Sequence, residues 1–391
     1  WAETPESACE QVISLCATAE AQRVLKSKSM ITEEISLNPA LVQAGFEVIE
    51  TDLGEYIIQL AQEPPSHIIA PAVHKTKEQV AALFYQYHQD YGFKDRLSDI
   101  PQLVAQARQV LRQKFITADV GITGANFLIA ETGSVVLVTN EGNGDLSATL
   151  PRMHIVIASL EKLVPTLEDA TTLLRLLGRS ATGQEITAYT SFFTGPRRTD
   201  DIDGPDEFHV ILVDNGRSAL LGSAFHEILY CIRCGACLNH CPVYGAIGGH
   251  AYGWVYPGPM GAVLTPLLLD LQTTKDLPQA SSLCGRCEAV CPLHIPLPKL
   301  LRQLRIQHYQ HHITPLSTRW ALALWGFVAQ RPGLYQALTQ IKIKLLGILG
   351  RHRGAFSYLP LARHWTYSRD MPAPTGETFM HAWKKKQKED S

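Results

Sequence analysis

Two short cysteine runs constrain this chain more than any other feature: Cys231, Cys234, Cys237 and Cys241 followed by Pro242, then Cys284, Cys287 and Cys291 followed by Pro292. The first run is C-x2-C-x2-C-x3-C-P, the bacterial ferredoxin pattern for a [4Fe–4S] cluster. Its close spacing wraps three thiolates around one cube, and the proline turns the chain so that the last sulfur serves another cluster. Zinc ribbons also use C-x2-C pairs, but the third cysteine two residues on and the repeated Cys-Pro ending are foreign to them.

Exchange of the last sulfur assigns Cys231, Cys234, Cys237 and Cys291 to cluster one. Cluster two receives Cys241, Cys284 and Cys287 and is one thiolate short; Ser281 stands where a complete second motif has its first cysteine. Three readings of the gap stay open: a [4Fe–4S] cube with Ser281 or another oxygen as ligand, a [3Fe–4S] cluster, or a cube whose open iron faces a partner or solvent. The expectation is two [4Fe–4S] clusters, the second labile. Cys9 and Cys16 belong to a separate pattern, a helix over Pro5 to Ala21 whose apolar stripe is Cys9, Val12, Ile13 and Cys16.

The 391 residues suffice for two or three domains with cores of their own, and a net charge of −2 argues against nucleic acid as a main partner. That average conceals a partition. Residues 301–369 hold ten Lys or Arg and no Asp or Glu, which leaves the first 300 residues strongly acidic. The basic segment carries Trp320, Leu324, Trp325, Phe327, Leu338, Ile341 and Leu345 on short amphipathic helices, a composition suited to anionic lipid or to a partner groove. Its longest strongly apolar stretch, Trp320 to Gln330, is shorter than the roughly 20 residues of a spanning helix. The expected location is the cytoplasm, with peripheral contact to the inner face of the membrane through 311–369. Opening at Trp1 without Met and without a secretory signal, the sequence reads as an N-terminally shortened chain.

Residues 1 to about 220 alternate strand and helix. Ser66 to Val73, Phe127 to Ala130, Ser134 to Thr139, His154 to Ala158 and Phe208 to Val213 are short β-branched runs; Thr76 to Tyr91 and Ile100 to Phe115 have helical periodicity. An α/β domain with a largely parallel sheet follows, with one hairpin at Glu131-Thr132-Gly133. Gly121 to Gly124 is expected to precede a strand, and the glycine-rich loop Asn140 to Asp145 to follow one. Neither loop is a dinucleotide or P-loop fingerprint. Ligands of open α/β sheets gather at strand carboxyl ends, which nominates Lys26, Lys28, Glu131, Asn140, Glu141 and Arg152 as a binding cleft. The predicted domains are 1–223 (α/β), 224–310 (an α-helical, ferredoxin-like two-cluster domain) and 311–391 (a basic helical region).

The motifs Cys231 to Tyr244 (CIRCGACLNHCPVY), Gly248 to Gly253 (GGHAYG), Tyr256 to Leu264 (YPGPMGAVL) and Lys26 to Ile35 (KSKSMITEEI) resemble the lactate-utilisation protein B family. So do Thr139 to Gly144 (TNEGNG) and Val213 to Ser218 (VDNGRS). The resemblance implies a lactate-utilisation (LUD) fold for the first domain, similar to sugar-phosphate isomerase and CoA-transferase-like α/β domains. It also implies an electron carrier in a multicomponent system that oxidises L-lactate to pyruvate, with the other lactate-utilisation subunits as partners and an acceptor such as quinone. Independently, two clusters without a flavin, haem or nicotinamide signature describe a one-electron relay. The alternative is that the α/β domain itself binds a small acid and is catalytic, with the clusters as its electron outlet.

Overall fold

Short β-branched runs become strands in the computed structural model, which describes residues 1–389: β1 (Arg23–Lys26), β2 (Glu47–Glu50), β3 (Val120–Thr123), β4 (Phe127–Ile129), β5 (Ser134–Thr139), β6 (Met153–Ser159), β7 (Leu163–Val164), β8 (Tyr189–Phe193) and β9 (Glu207–Val213). Five of them, in the order β2-β1-β3-β6-β9, form a wholly parallel sheet. Both faces are covered, so β6 is buried at every residue and its centre, Ile155 to Ala158, is an apolar run without polar alternation.

Adjacent residues of a strand point to opposite faces, and Val24 and Leu25 of β1 accordingly enter different cores. On Val24's side lie α1 (Pro5–Thr18), α2 (Met30–Glu34) and α3 (Leu37–Gln43), whose Cys9, Val12, Cys16, Leu37 and Leu41 pack on Val120, Ile155 and Val213. On Leu25's side lie α4 (Leu53–Ala61), α5 (Lys77–Tyr87) and α6 (Ile100–Ile116), which bring Tyr56, Phe84 and Leu111. Thr76 starts α5 with a capping box, its hydroxyl accepting from Gln79 N–H while the Gln79 side chain accepts from Thr76 N–H. The cysteines of α1 are buried core residues, and the Cys9 thiol donates to the Ile35 carbonyl at 3.3 Å.

A second sheet, β7-β4-β5-β8, is built on the hairpin at Glu131 to Gly133. Its Leu128 and Val135 pack on Val156 and Ala158 of the parallel sheet. Its other face, through Phe127, Ile129 and Val136, meets Ile232, Cys234 and Ala236 of the first cysteine run. The α/β layers and the cysteine segment thus share core and form one compact unit, Trp1–His308.

Two expectations are corrected here. Ser66 to Val73 is a loop and not a strand: Pro71 lies within it and has no N–H for a ladder. The backbone closes on itself instead, Ser66 N–H donating to the Pro71 carbonyl at 3.1 Å, and Ile69 and Ala70 N–H both donating to His67 Nδ1 at 3.1 Å. Gly121 to Thr123, expected as a loop, belongs to strand β3 itself, and it precedes β4 as expected. Glycine is required there because a Cβ on Gly121 would stand 1.7 Å from the carbonyl oxygen of Ser147 in α7 (Asn143–Thr149). Gly121→Ala is expected to destabilise this unit by about 3 kcal/mol, measured as a lower urea midpoint at unchanged slope.

The next helices are α8 (Leu167–Thr182), α9 (Ala236–Asn239), α10 (Pro242–Ile247), α11 (Gly258–Leu268), α12 (Arg286–Ala289) and α13 (Leu297–Gln310). α11 is buried from Gly258 to Pro266 and forms, with Leu300, Leu301 and Leu304 of α13, the centre of the cysteine segment's core.

The second unit starts at Tyr309. It contains α14 (Leu316–Ala329), α15 (Pro332–Gly350), a short antiparallel pair β10 (Ala355–Phe356) and β11 (Met371–Pro372), α16 (Arg363–Thr366) and α17 (Phe379–Glu389). Trp320 and Trp325 are 70% and 65% exposed. Among the described residues no helix is long and apolar enough to cross a membrane. Asp390 and Ser391, the end of the expected C-terminal region, lie outside the described residues.

Candidate functional site

The two cysteine runs fold alike. Cys234 is followed by Gly235 and Cys284 by Gly285, both glycines in the left-handed region (φ 75° and 81°), and each leads into one turn of helix, α9 or α12. Backbone N–H groups near these turns favour the thiolate: Ala236 at Cys234, Arg286 at Cys284 and Glu288 at Cys287, with Met260 of α11 (Gly258–Leu268) doing the same at Cys237. Cys241 opens α10, its Sγ accepting from Tyr244 N–H at 3.5 Å. Hydrogen bonds to cluster sulfurs are one of the levers that set reduction potential.

Cys231, Cys234, Cys237 and Cys291 line one small cavity, although they come from both runs. The remaining lining is largely apolar, including Ile68, Leu238, Met260, Leu293, Ile295 and Leu297, with Arg233 as its charged member. Soft sulfur donors around a water-poor space fit an iron–sulfur cluster. Among the described residues no group of His, Cys, Asp and Glu is arranged to hold a single metal ion. Burial pushes the Cys234 thiol up to about 11, so binding iron there releases a proton. Beside this group, burial pushes Cys287 up to about 11, and Cys241 and Cys284 lie near enough to add to the repulsion. Cys284 is exposed, its pKa lowered by the Arg286 N–H and the Ser282 hydroxyl. The Ser281 hydroxyl accepts from Leu283 N–H at 3.1 Å, and its carbonyl accepts from Arg305 at 2.7 Å.

A buried chain of charges ties the first cysteine loop to the parallel sheet. Glu34 of α2 takes both terminal nitrogens of Arg217, at 2.6 and 2.8 Å, and the Tyr256 hydroxyl at 2.6 Å. Arg217 Nε lies 2.7 Å from Glu161 Oε2 as an ion pair without hydrogen-bond alignment, and Arg233 donates to Glu161 Oε1 at 2.9 Å. Arg233 lies between Cys231 and Cys234 in sequence, with its guanidinium 4.6 Å from the centre of the Tyr256 ring. Although burial opposes the charge, Arg217 and Arg233 hold the Glu161 carboxyl down to about 2.

A cleft of about 300 Å³ opens at the carboxyl ends of β1, β2, β3 and β6. Of the residues nominated from sequence, it brings together Lys28, Asn140 and Glu141. The others are elsewhere. Lys26 is fully buried, paired with Glu33 and Glu50 at 2.8 Å each. Glu131 accepts from Leu167 N–H at 2.7 Å, at the start of α8. Arg152 is exposed, and its carbonyl accepts from Asp206 and Glu207 N–H. The cleft adds Asp52, Lys162 and Arg233, which the sequence reading missed. Lys162 had a usable signal, since it lies just past the carboxyl end of β6. Burial, with Arg233 nearby, pushes its amine down to about 8. Lys28 is also lowered by burial, and Glu141 is raised by burial and by Asp52.

Residues 1–213 match the LUD domain family and residues 227–295 the 4Fe-4S dicluster domain family. The chain is 45% identical over 397 residues to "Lactate utilization protein B" of Bacillus pumilus, covering 100% of this chain and 82% of the relative. It is 48% identical to the protein of the same name from Shouchella clausii, covering 100% and 81%. It is 43% identical to "Uncharacterized electron transport protein YkgF" of Escherichia coli, again covering 100% and 81%. A solved chain described as a DUF162 family protein from Deinococcus radiodurans is 21% identical, with a TM-score of 0.21, over 26% of this chain and 57% of that one.

Proposed function

The chain belongs to the lactate utilization protein B family, and from that premise we propose that it is the iron–sulfur electron-transfer subunit of a system oxidising L-lactate to pyruvate. A LUD domain joined to a 4Fe-4S dicluster domain has a role in lactate utilization and electron transfer. The observation that carries the finer reading is the single cavity lined by Cys231, Cys234, Cys237 and Cys291, with Cys241, Cys284 and Cys287 grouped beside it. The first four are the ligands proposed for one cluster and the other three for a second. The second cluster's remaining site is completed by Ser281 or another oxygen, left open to a partner or solvent, or absent as in [3Fe–4S]. When bound, such clusters supply one-electron transfer, and a pair holds the two electrons that lactate gives up.

This chain's own part is to hold the sulfurs, aim N–H groups at them and keep water from the first group through Ile68, Leu238, Met260 and Leu297. The partners proposed are the other lactate-utilisation subunits, and the downstream acceptor a quinone. The division 1–223, 224–310 and 311–391 belongs to the same reading. So do the isomerase and CoA-transferase-like lineage of the first domain and the ferredoxin-like character of the second.

Anaerobic EPR of the full chain is the test. Lactate is expected to leave the iron oxidised until partner subunits are added; reduction by lactate with the chain alone would replace the relay with the catalytic reading of the α/β domain. Peripheral membrane contact is proposed for the second unit, in the cytoplasm, on its exposed Trp320 and Trp325 and its surplus of basic residues. Removing residues 311–391 is expected to abolish co-sedimentation with anionic vesicles, and unchanged co-sedimentation would refute the contact.

A further inference from the structure

The cleft and the cysteine cavity share a wall, Ile68, Ile232 and Arg233. A molecule in the cleft therefore lies against the loop that carries Cys231 and Cys234. Most of the cleft's charged groups are already engaged. Asp52 accepts from Glu55 N–H at 3.1 Å and Glu141 from Leu53 N–H at 3.4 Å, both at the start of α4. The Lys28 ammonium donates to the Ile69 carbonyl. Arg233 spends its two terminal nitrogens on Glu161 at 2.9 Å and on Met260 Sδ at 3.0 Å.

Lys162 is different. Its ammonium has no hydrogen-bond or ion-pair partner among the described residues, and neighbouring Glu161 has both oxygens occupied by Arg217 and Arg233. With Arg233 balanced by Glu161, two cations, Lys28 and Lys162, face two carboxylates, Asp52 and Glu141, across the cleft. The cleft therefore carries no surplus of positive charge and admits a single carboxylate at Lys162 more readily than a doubly charged phosphate. Ser29, Asn126 and Ser159 line the same cleft and offer hydroxyl and amide groups to an adjoining oxygen.

We propose that this cleft binds a small carboxylate-bearing molecule, its carboxylate held by Lys162 and its remaining polar atoms facing Ser29, Asn126 and Ser159. An anion in this place also relieves the conditions that depress the Lys162 amine, burial beside the fixed charge of Arg233. The wall shared with the cysteine cavity gives the site a purpose: the bound acid sits where its arrival alters the surroundings of Cys231 and Cys234. The inference rests on the lactate-utilization reading for its choice of probe.

The test is calorimetric titration of the anaerobically prepared, iron-replete full chain with sodium pyruvate, and with inorganic phosphate in a parallel arm. Pyruvate is expected to bind saturably at one site per chain. Lys162→Ala weakens it by about tenfold or more, the loss of a charged hydrogen bond. Lys162→Arg, which keeps the charge, largely restores it, and exposed Arg152→Ala leaves it unchanged. Iron content is checked in each variant so that misfolding is recognised. No saturable pyruvate binding by the iron-replete wild type, undiminished binding in folded Lys162→Ala, or phosphate binding tighter than pyruvate would overturn the proposal. Each of these leaves the relay untouched, because the relay is judged by reduction of the iron through partner subunits.

Discussion

Cys291→Ser is expected to remove the cluster of the first cysteine run, and Cys241→Ser that of the second, each substitution acting on the run to which it does not belong. The reason is spatial. Cys291 lines the same cavity as Cys231, Cys234 and Cys237, whereas Cys241 is among the charges felt by Cys287. Each variant should lose about half of the iron and acid-labile sulfide, because serine is a poor replacement for a thiolate on iron. The reduced EPR spectra should then be complementary, each variant retaining the signal that the other lacks. The costs are unequal. Cys291 faces a cavity walled by the buried Leu238, Met260, Ile295 and Leu297, so its loss should lower the unfolding temperature more than loss of Cys241. If both variants lose the same signal, or if either keeps full iron, the crossed assignment is wrong.

The two cysteine runs stood out in the sequence because they depend on short covalent spacings, which survive any uncertainty about the rest of the fold, and the crossed assignment proposed for them is what these two variants test. The long strands were legible for a related reason: β5, β6 and β9 are six or seven residues long and apolar enough to stand out. β1 and β2, four residues each, begin or end on Arg23, Lys26, Glu47 and Glu50 and are strands because β1 pairs with β3 and β2 pairs with β1. Ser66 to Val73 misled in the opposite direction, since its β-branched residues sit on a loop whose turns depend on His67 and Pro71 and which buries Ile68 but leaves Val73 exposed.

The cleft was half legible. Lys28, Asn140 and Glu141 stand next to strand ends in the sequence itself. Lys26 looked equivalent to Lys28, yet it is the last residue of β1 and is buried against Glu33 and Glu50, whereas Lys28 lies beyond the strand's end, in the cleft lining. Arg233 was hidden by its setting, a charge inside a cysteine run. Its role depends on Glu161, 72 residues earlier, and the companion pair Arg217 and Glu34 is 183 residues apart. No local pattern announces a buried charge whose partner is that remote.

That remoteness makes Glu161 the residue through which the cluster loop and the sheet are coupled, and Glu161→Gln is expected to destabilise the first unit by about 3–5 kcal/mol. The glutamine keeps the shape but removes the anion between Arg217 and Arg233, whose side chains are 0% and 11% exposed. Two guanidinium groups then remain buried with Glu34 as the balancing carboxylate in the chain, and Arg233 loses the contact that holds it between Cys231 and Cys234. The pH dependence has a definite sign. The Glu161 carboxyl is held down to about 2 in the folded protein, from an ordinary value of 4.5. Its contribution is therefore complete above 4.5 and is lost as the pH falls toward 2. Urea unfolding of wild type and variant should give the same difference at pH 7 and pH 5, and a smaller one only below 4.5. The reduction potential of the first cluster should move as well, because a fixed cation beside its sulfurs has been released. A variant as stable as wild type at pH 7, or a stability gap that widens on acidification, would show that the Glu161 carboxylate does not bridge the two arginines.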